Sequence, residues 1–167
     1  KEADWKNEIP QLNYADALQQ PIAKPSPGWE VLMSSQAVPV SVPGTAEEYL
    51  QETPGPEGDI LGVTWWTRKI DIPSFKKGQK ILLRFSAIRL RAEIFINRQL
   101  ADCQVIDNVA FETDITKFVK SGETCELAVR ITDAGGNHDW RDSRTIKWND
   151  KMLPPGHGFG GVTGEVC

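Results

Sequence analysis

Arg91-Ala92-Glu93-Ile94-Phe95-Ile96-Asn97 decides the fold: Ala92, Ile94 and Ile96 fall on one side, and Arg91, Glu93 and Phe95 on the other. Successive side chains of a strand alternate between its faces, so the stretch reads as a half-buried β-strand. Glu126-Leu127-Ala128-Val129-Arg130-Ile131-Thr132 repeats the alternation, with Leu127, Val129 and Ile131 inward. Residues 62–72 and 80–86 are rich in Trp, Ile, Leu and Phe and are separated by the turn signal Lys77-Gly78, so they are predicted to be further core strands. Short alternations at 29–33 and 38–42 predict two more, the second an edge strand because proline cannot donate to a ladder. Helix is scarce. Residues 45–50 offer an N-capping Thr45 and early glutamates, and residues 114–119 a helical turn capped by Asp114 and ended by Ser121-Gly122. Many short strands punctuated by Gly and Pro predict an all-β fold, a β-sandwich or jelly roll, and not a βαβ architecture.

Composition sets the outer bounds. The chain has 167 residues, a charged share of 25% and a hydrophobic share of 40%, which predicts one domain with a buried core. Its net charge of −4 leaves no basic footprint for a phosphate backbone, so nucleic acid is not an expected partner. No run approaches the about 18–20 apolar residues of a membrane-crossing helix, and no membrane span is expected.

Residues 1–28, rich in Pro, Gln and Ala, read as an irregular N-terminal leader in which only 16–20 could turn helically, and residues 29–167 as the folded domain. Residues 52–59 carry too much Pro and Gly for regular structure. The chain opens without Met and closes on a strand-like Gly161-Val162-Thr163-Gly164-Glu165-Val166-Cys167, from which a fragment of a longer polypeptide is expected. Its three cysteines cannot all pair and show no C-x-x-C spacing. Cys125 reads as a small buried hydrophobe and Cys103 as a turn residue, with a Cys103–Cys125 disulfide as the alternative.

Asp133-Ala134-Gly135-Gly136-Asn137-His138-Asp139-Trp140-Arg141-Asp142 breaks the strand pattern and surrounds an indole with donors and carboxylates. A pyranose presents an apolar C–H face to an aromatic ring and a rim of hydroxyls to polar side chains. Asn137, His138, Asp139, Trp140, Arg141, Asp142 and Trp148 are therefore candidate sugar-binding residues, against the alternative that they pack and fix a loop. Asp133, Asn137, Asp139 and Asp142 offer the hard oxygens calcium prefers, but their spacing misses the D-x-[DN]-x-[DN]-G loop. His138 and His157 are too few for catalytic zinc, so no cofactor is expected, with calcium as the remaining possibility. Gly156, Gly158, Gly160 and Gly161 lack the phosphate-loop pattern and instead suit tight passage into the last strand. Asp139 and Asp142 could in principle stand the about 5–9.5 Å apart that glycoside hydrolysis needs, yet no pattern supports catalysis and no catalytic residue is assigned.

Several stretches carry a family resemblance. Trp65-Trp66-Thr67-Arg68-Lys69-Ile70-Asp71-Ile72-Pro73, followed by residues 78–85, resembles the W-Y-x-R-x-F-x-[IV]-P opening of the sugar-binding domain of family 2 glycoside hydrolases. Residues 91–100 are similar to its A-x-[VI]-[WF]-[VIL]-N-G stretch, and residues 111–116 with 122–130 to its F-E-x-D-I-T…L-A-V-R. The resemblance spans about residues 38–166 and implies a galactose-binding-type jelly roll, the non-catalytic N-terminal domain of a β-galactosidase-, β-glucuronidase- or β-mannosidase-like enzyme. Its catalytic glutamates would lie in a downstream (β/α)8 barrel, its partners would be carbohydrate and those downstream domains, and it would be periplasmic or secreted. The resemblance also implies that Asp139, Trp140, Asp142 and Trp148 reach the active-site mouth. An autonomous carbohydrate-binding module is the alternative. Two departures stand out: Arg98 occupies the hairpin glycine's place, and Gly160-Gly161-Val162-Thr163-Gly164 lacks the family's arginine.

Overall fold

The computed structural model describes residues 24–25, 28–49, 62–89, 91–104, 108–133 and 160–167. The expectations for residues 1–23 and for the 52–59 loop lie outside them. Eight strands appear in chain order: β1 (Gly44–Thr45), β2 (Gly62–Asp71), β3 (Leu82–Phe85), β4 (Arg91–Ile96), β5 (Gln99–Gln104), β6 (Phe111–Asp114), β7 (Thr124–Asp133) and β8 (Gly161–Val162). The only α-helix among the described residues is α1, Ala46–Tyr49. It starts as Thr45 suggested, with the Glu48 carboxylate accepting the Thr45 N–H at 2.8 Å, one half of a capping box.

The main layer is an antiparallel sheet of order β2-β7-β4-β5. Facing it lies the β3–β6 pair, which the chain's last residues extend: Arg84 N–H donates to the Cys167 carbonyl at 2.7 Å, and Ser86 N–H to Glu165 at 2.8 Å. β8 is held between β1 and Arg89, whose backbone exchanges hydrogen bonds of 3.1 and 3.2 Å with Gly161. Between the layers Leu83, Phe85, Ile88, Ala92, Ile94, Ile96, Leu127, Val129, Ile131 and Val162 form one core. The architecture is the all-β sandwich expected, and the inward sets of β4 and β7 are those their alternation named. The Asp114 carboxylate likewise accepts the Thr116 N–H at 3.1 Å and hydroxyl at 2.6 Å, opening a short 3-10 turn at Thr116–Phe118.

Five expectations need correction. Trp29–Met33 is a 3-10 helix and not a strand. Trp29 and Leu32, three apart, both reach the sheet, with Trp29 edge-on to Trp65 and Phe95 at 5.5 and 5.1 Å, while Met33 is 48% exposed. Residues 38–42 form no strand, and Val38, Val40 and Val42 are exposed, since Pro39 removes a ladder donor from a segment too short to compensate. β4 is buried on both faces and not half-buried. Cys103 lies in β5 instead of a turn, and the last strand is only Gly161–Val162 with an isolated Val166–Phe85 bridge. All three cysteines are free: Cys103 pairs in register with Glu93 on the outer face of the sheet, whereas Cys125 belongs to the inner core, so the sheet separates them.

Candidate functional site

The candidate residues Asn137, His138, Asp139, Trp140, Arg141, Asp142 and Trp148 lie outside the described residues, as do the calcium candidates among them. What the structure describes is the framework from which that segment departs and to which it returns. It departs from the end of β7, where Thr132 pairs with Arg91 of β4 and Val63 of β2. It returns at Gly160, whose carbonyl accepts the Ala46 N–H at 2.7 Å and whose N–H donates to Glu47 Oε1 at 3.4 Å. Gly161 then passes so close to β1 that a Cβ there would stand 2.5 Å from the Gly44 carbonyl oxygen and 2.9 Å from Thr45 Cα. This is the tight passage the glycine run suggested, and no side chain fits it. Both roots therefore converge on Arg89 and Arg91, two residues apart in the chain.

A buried polar cluster occupies the outer face of the sheet beside the departing root. Glu93 is 0% exposed; its Oε1 lies 2.6 Å from Arg91 Nη2, and its two oxygens lie 3.4 and 3.5 Å from Arg130 Nη1. Arg130 Nη1 also stands 3.5 Å from the Thr132 hydroxyl. Burial pushes the Glu93 carboxyl above its ordinary value, while the Arg91 and Arg130 charges pull it back. The same burial, then the Glu93 charge, pushes the neighbouring Cys103 thiol up to about 11, so it is not a thiolate nucleophile at neutral pH. Toward the other end of the face the cluster gives way to apolar packing of Trp29, Leu32, Trp65, Phe95 and Ala128.

The arrangement clamps two guanidiniums and supplies no nucleophile–base pair. No group of three or more His, Cys, Asp or Glu among the described residues could hold a metal ion, and no helix among them is long and apolar enough to cross a membrane. The Arg91–Glu93–Arg130 cluster was missed from the sequence. The available signal was that three charged residues share one face of two adjacent core strands, with Glu93 directly opposite Arg130.

Residues 50–156 match the model of the family described as glycosyl hydrolases family 2, sugar binding domain. A β-glucuronidase of Formosa agariphila is 27% identical over 104 residues, covering 62% of this chain and 10% of that protein. The solved β-glucuronidase of Faecalibacterium prausnitzii superposes with a TM-score of 0.51 at 30% identity, over 63% of this chain and 17% of its own. That of Lactobacillus rhamnosus gives a TM-score of 0.57 at 26% identity, over 66% and 18%. The chain thus spans between 10% and 18% of the length of these relatives. With a family match running from before β2 into the segment beyond β7, on a two-layered antiparallel sandwich, the chain belongs to the sugar-binding domain family of the family 2 glycosyl hydrolases.

Proposed function

We propose that the chain acts as a non-catalytic domain of a glycoside hydrolase, packing on a catalytic barrel carried elsewhere in the polypeptide and lending residues 137–148 to its sugar subsites. The observation that carries this reading is the family match, which spans the whole of that segment. The anchoring of both its roots at Arg89 and Arg91 supports it, because a segment planted at two close points can present side chains reproducibly. Trp140 and Trp148 supply stacking faces, while Asn137, His138, Asp139, Arg141 and Asp142 supply hydroxyl partners. β-Glucuronides are the first substrate class to examine, since the relatives above are named β-glucuronidases, and β-galactosides the second. A periplasmic or secreted location goes with this reading. The test is steady-state kinetics of the barrel-bearing enzyme on aryl β-glycosides with Trp140→Ala and Trp148→Ala. A fall of at least tenfold in kcat/KM in a folded variant is expected; unchanged kcat/KM in both would remove this segment from the subsites.

A further inference from the structure

We infer that the edge of β3 at Leu82 is a docking site for an extended strand of the barrel-bearing polypeptide, laid antiparallel to β3 in the apolar groove beside it. The inference rests on the reading that this domain is carried in a longer polypeptide, and not on the sugar contacts.

The backbone fixes where such a strand bonds. Arg84 and Cys167 exchange both hydrogen bonds, at 2.7 and 3.0 Å, and the Ser86 N–H donates to Glu165 at 2.8 Å. In an antiparallel ladder such exchanging pairs recur at every second residue, so the next one belongs to Leu82. Ile81 shows the same alternation from the other side. Its N–H donates to Thr116 Oγ1 at 2.9 Å and its carbonyl accepts the Ile115 N–H at 3.0 Å, both on the side of β6. The N–H and C=O of Leu82 therefore point away from β6, and among the described residues no strand lies beside them. A sheet edge in this state is a template for another strand.

The side chains mark the same place. Seven large hydrophobic side chains are exposed among the described residues, and five of them, Met33, Val38, Val40, Val42 and Leu82, line one groove. Exposed hydrophobics scattered singly are ordinary, but their concentration on one concave surface marks an interaction site. β2, the edge strand of the main sheet, belongs to the same lining, and Leu83 and Leu127 of the core reach it. The groove's volume of about 1760 Å3 exceeds the about 300–1,000 Å3 of a small-molecule pocket, which favours a polypeptide segment. A strand laid there meets the main-chain groups of Leu82 with its own and sets alternate side chains toward Leu83 and toward Leu82. Strand addition to a sheet edge combines backbone bonding with side-chain pockets in this way. The source is the same polypeptide, because the site continues the ladder that Glu165–Cys167 already builds on β3. The relatives are also far longer, this chain spanning between 10% and 18% of their length.

The experiment is amide hydrogen exchange at single-residue resolution, run on the 167-residue chain and on the barrel-bearing enzyme. In the 167-residue chain the Leu82 amide is expected to exchange roughly tenfold faster than that of Arg84, and in the enzyme to slow by roughly a hundredfold. Leu82→Pro gives a second arm. It removes only the outward donor, which an edge strand tolerates, so the 167-residue chain should keep its urea midpoint while β3 of the enzyme loses roughly tenfold in protection. A Leu82 amide as fast in the enzyme as in the 167-residue chain would overturn the inference. So would a Leu82 amide already protected in the 167-residue chain in proportion to its concentration, which would seat a second copy on the edge. Neither readout involves sugar. The kinetic test of Trp140 and Trp148 can therefore fail while this result stands, and the reverse holds equally.

Discussion

Both faces of the β2-β7-β4-β5 sheet are buried along β4 and most of β7, yet they are closed by different chemistry. The inner face is aliphatic: Ile94, Ile96, Leu127, Val129 and Ile131 meet Leu83, Phe85 and Ile88 of the opposite layer. The outer face sets Arg91, Glu93, Arg130 and Thr132 beside Trp29, Trp65 and Phe95. An aliphatic layer tolerates rearrangement if volume is conserved, whereas a buried carboxylate between two guanidiniums tolerates almost none, since losing one member strands the others. The inner face therefore supplies cohesion and the outer face fixed directions, and the fixed directions lie near the end of β7.

The largest expected effect contrasts a broken cluster with a removed one. Glu93→Leu alone should cost about 3–5 kcal/mol in urea unfolding, because it removes the buried carboxylate that Arg91 and Arg130 share. Replacing Arg91 and Arg130 by Met at the same time should bring stability back to within about 1 kcal/mol of the parent or above it. Equal losses in both would show that charge itself, and not its pairing, holds the outer face. On the inner face Ile94→Ala, which empties a fully buried position, should cost about 2–5 kcal/mol without any such rescue by a neighbouring substitution. A smaller effect is expected at Arg98, which has φ +67 in the β4–β5 turn and reaches Glu30 at 2.8 Å and Glu126 at 3.4 Å. Arg98→Gly relieves the left-handed backbone but gives up two exposed ion pairs, so stability should stay within about 1 kcal/mol. Exchange of the Trp29–Met33 turn, which Glu30 ties to Arg98, should nevertheless rise; no rise would mean that the packing of Trp29 on Trp65 and Phe95 is enough to hold it. The least energetic contrast is kinetic. In thiol labelling at pH 8 the exposed Cys167 should react first, while Cys103, pushed up to about 11, and the buried Cys125 should wait for unfolding. Early labelling of Cys103 would show the outer face to be open.

How far these features could be read from the residues follows from the range of the physics involved. The inward sets of β4 and β7 were legible because alternation is local: Ile94 and Val129 declare their face by their own neighbours. The burial of Glu93 was not, since a charged residue on the alternate face looks solvent-exposed until a partner strand puts Arg130 opposite it on a face that is itself buried. Trp29–Met33 was ambiguous because Trp29, Val31 and Met33 fit a strand while Trp29 and Leu32 fit a turn; contact with Trp65 and Phe95 decided it. Pro39 was enough to demote residues 38–42 to an edge, and the structure removes them from the ladder altogether. Arg98 had been legible only as a departure from a glycine. The structure adds what retains it, two carboxylates that hold an unfavourable backbone in place. For the candidate site the residue types pointed to a sugar-like ligand and the glycines to its returning root, but the clamp at the departing root depends on register between strands distant in sequence.

We propose that this domain supports glycoside hydrolysis without performing it. The most direct measurement incubates the purified chain with chromogenic aryl β-glucuronide and β-galactoside and follows release against buffer. Release indistinguishable from the uncatalysed rate at every protein concentration is the expected result. Release that scales with the chain and disappears in Asp139→Asn or Asp142→Asn would contradict the claim and make the 134–159 segment a catalytic site in its own right.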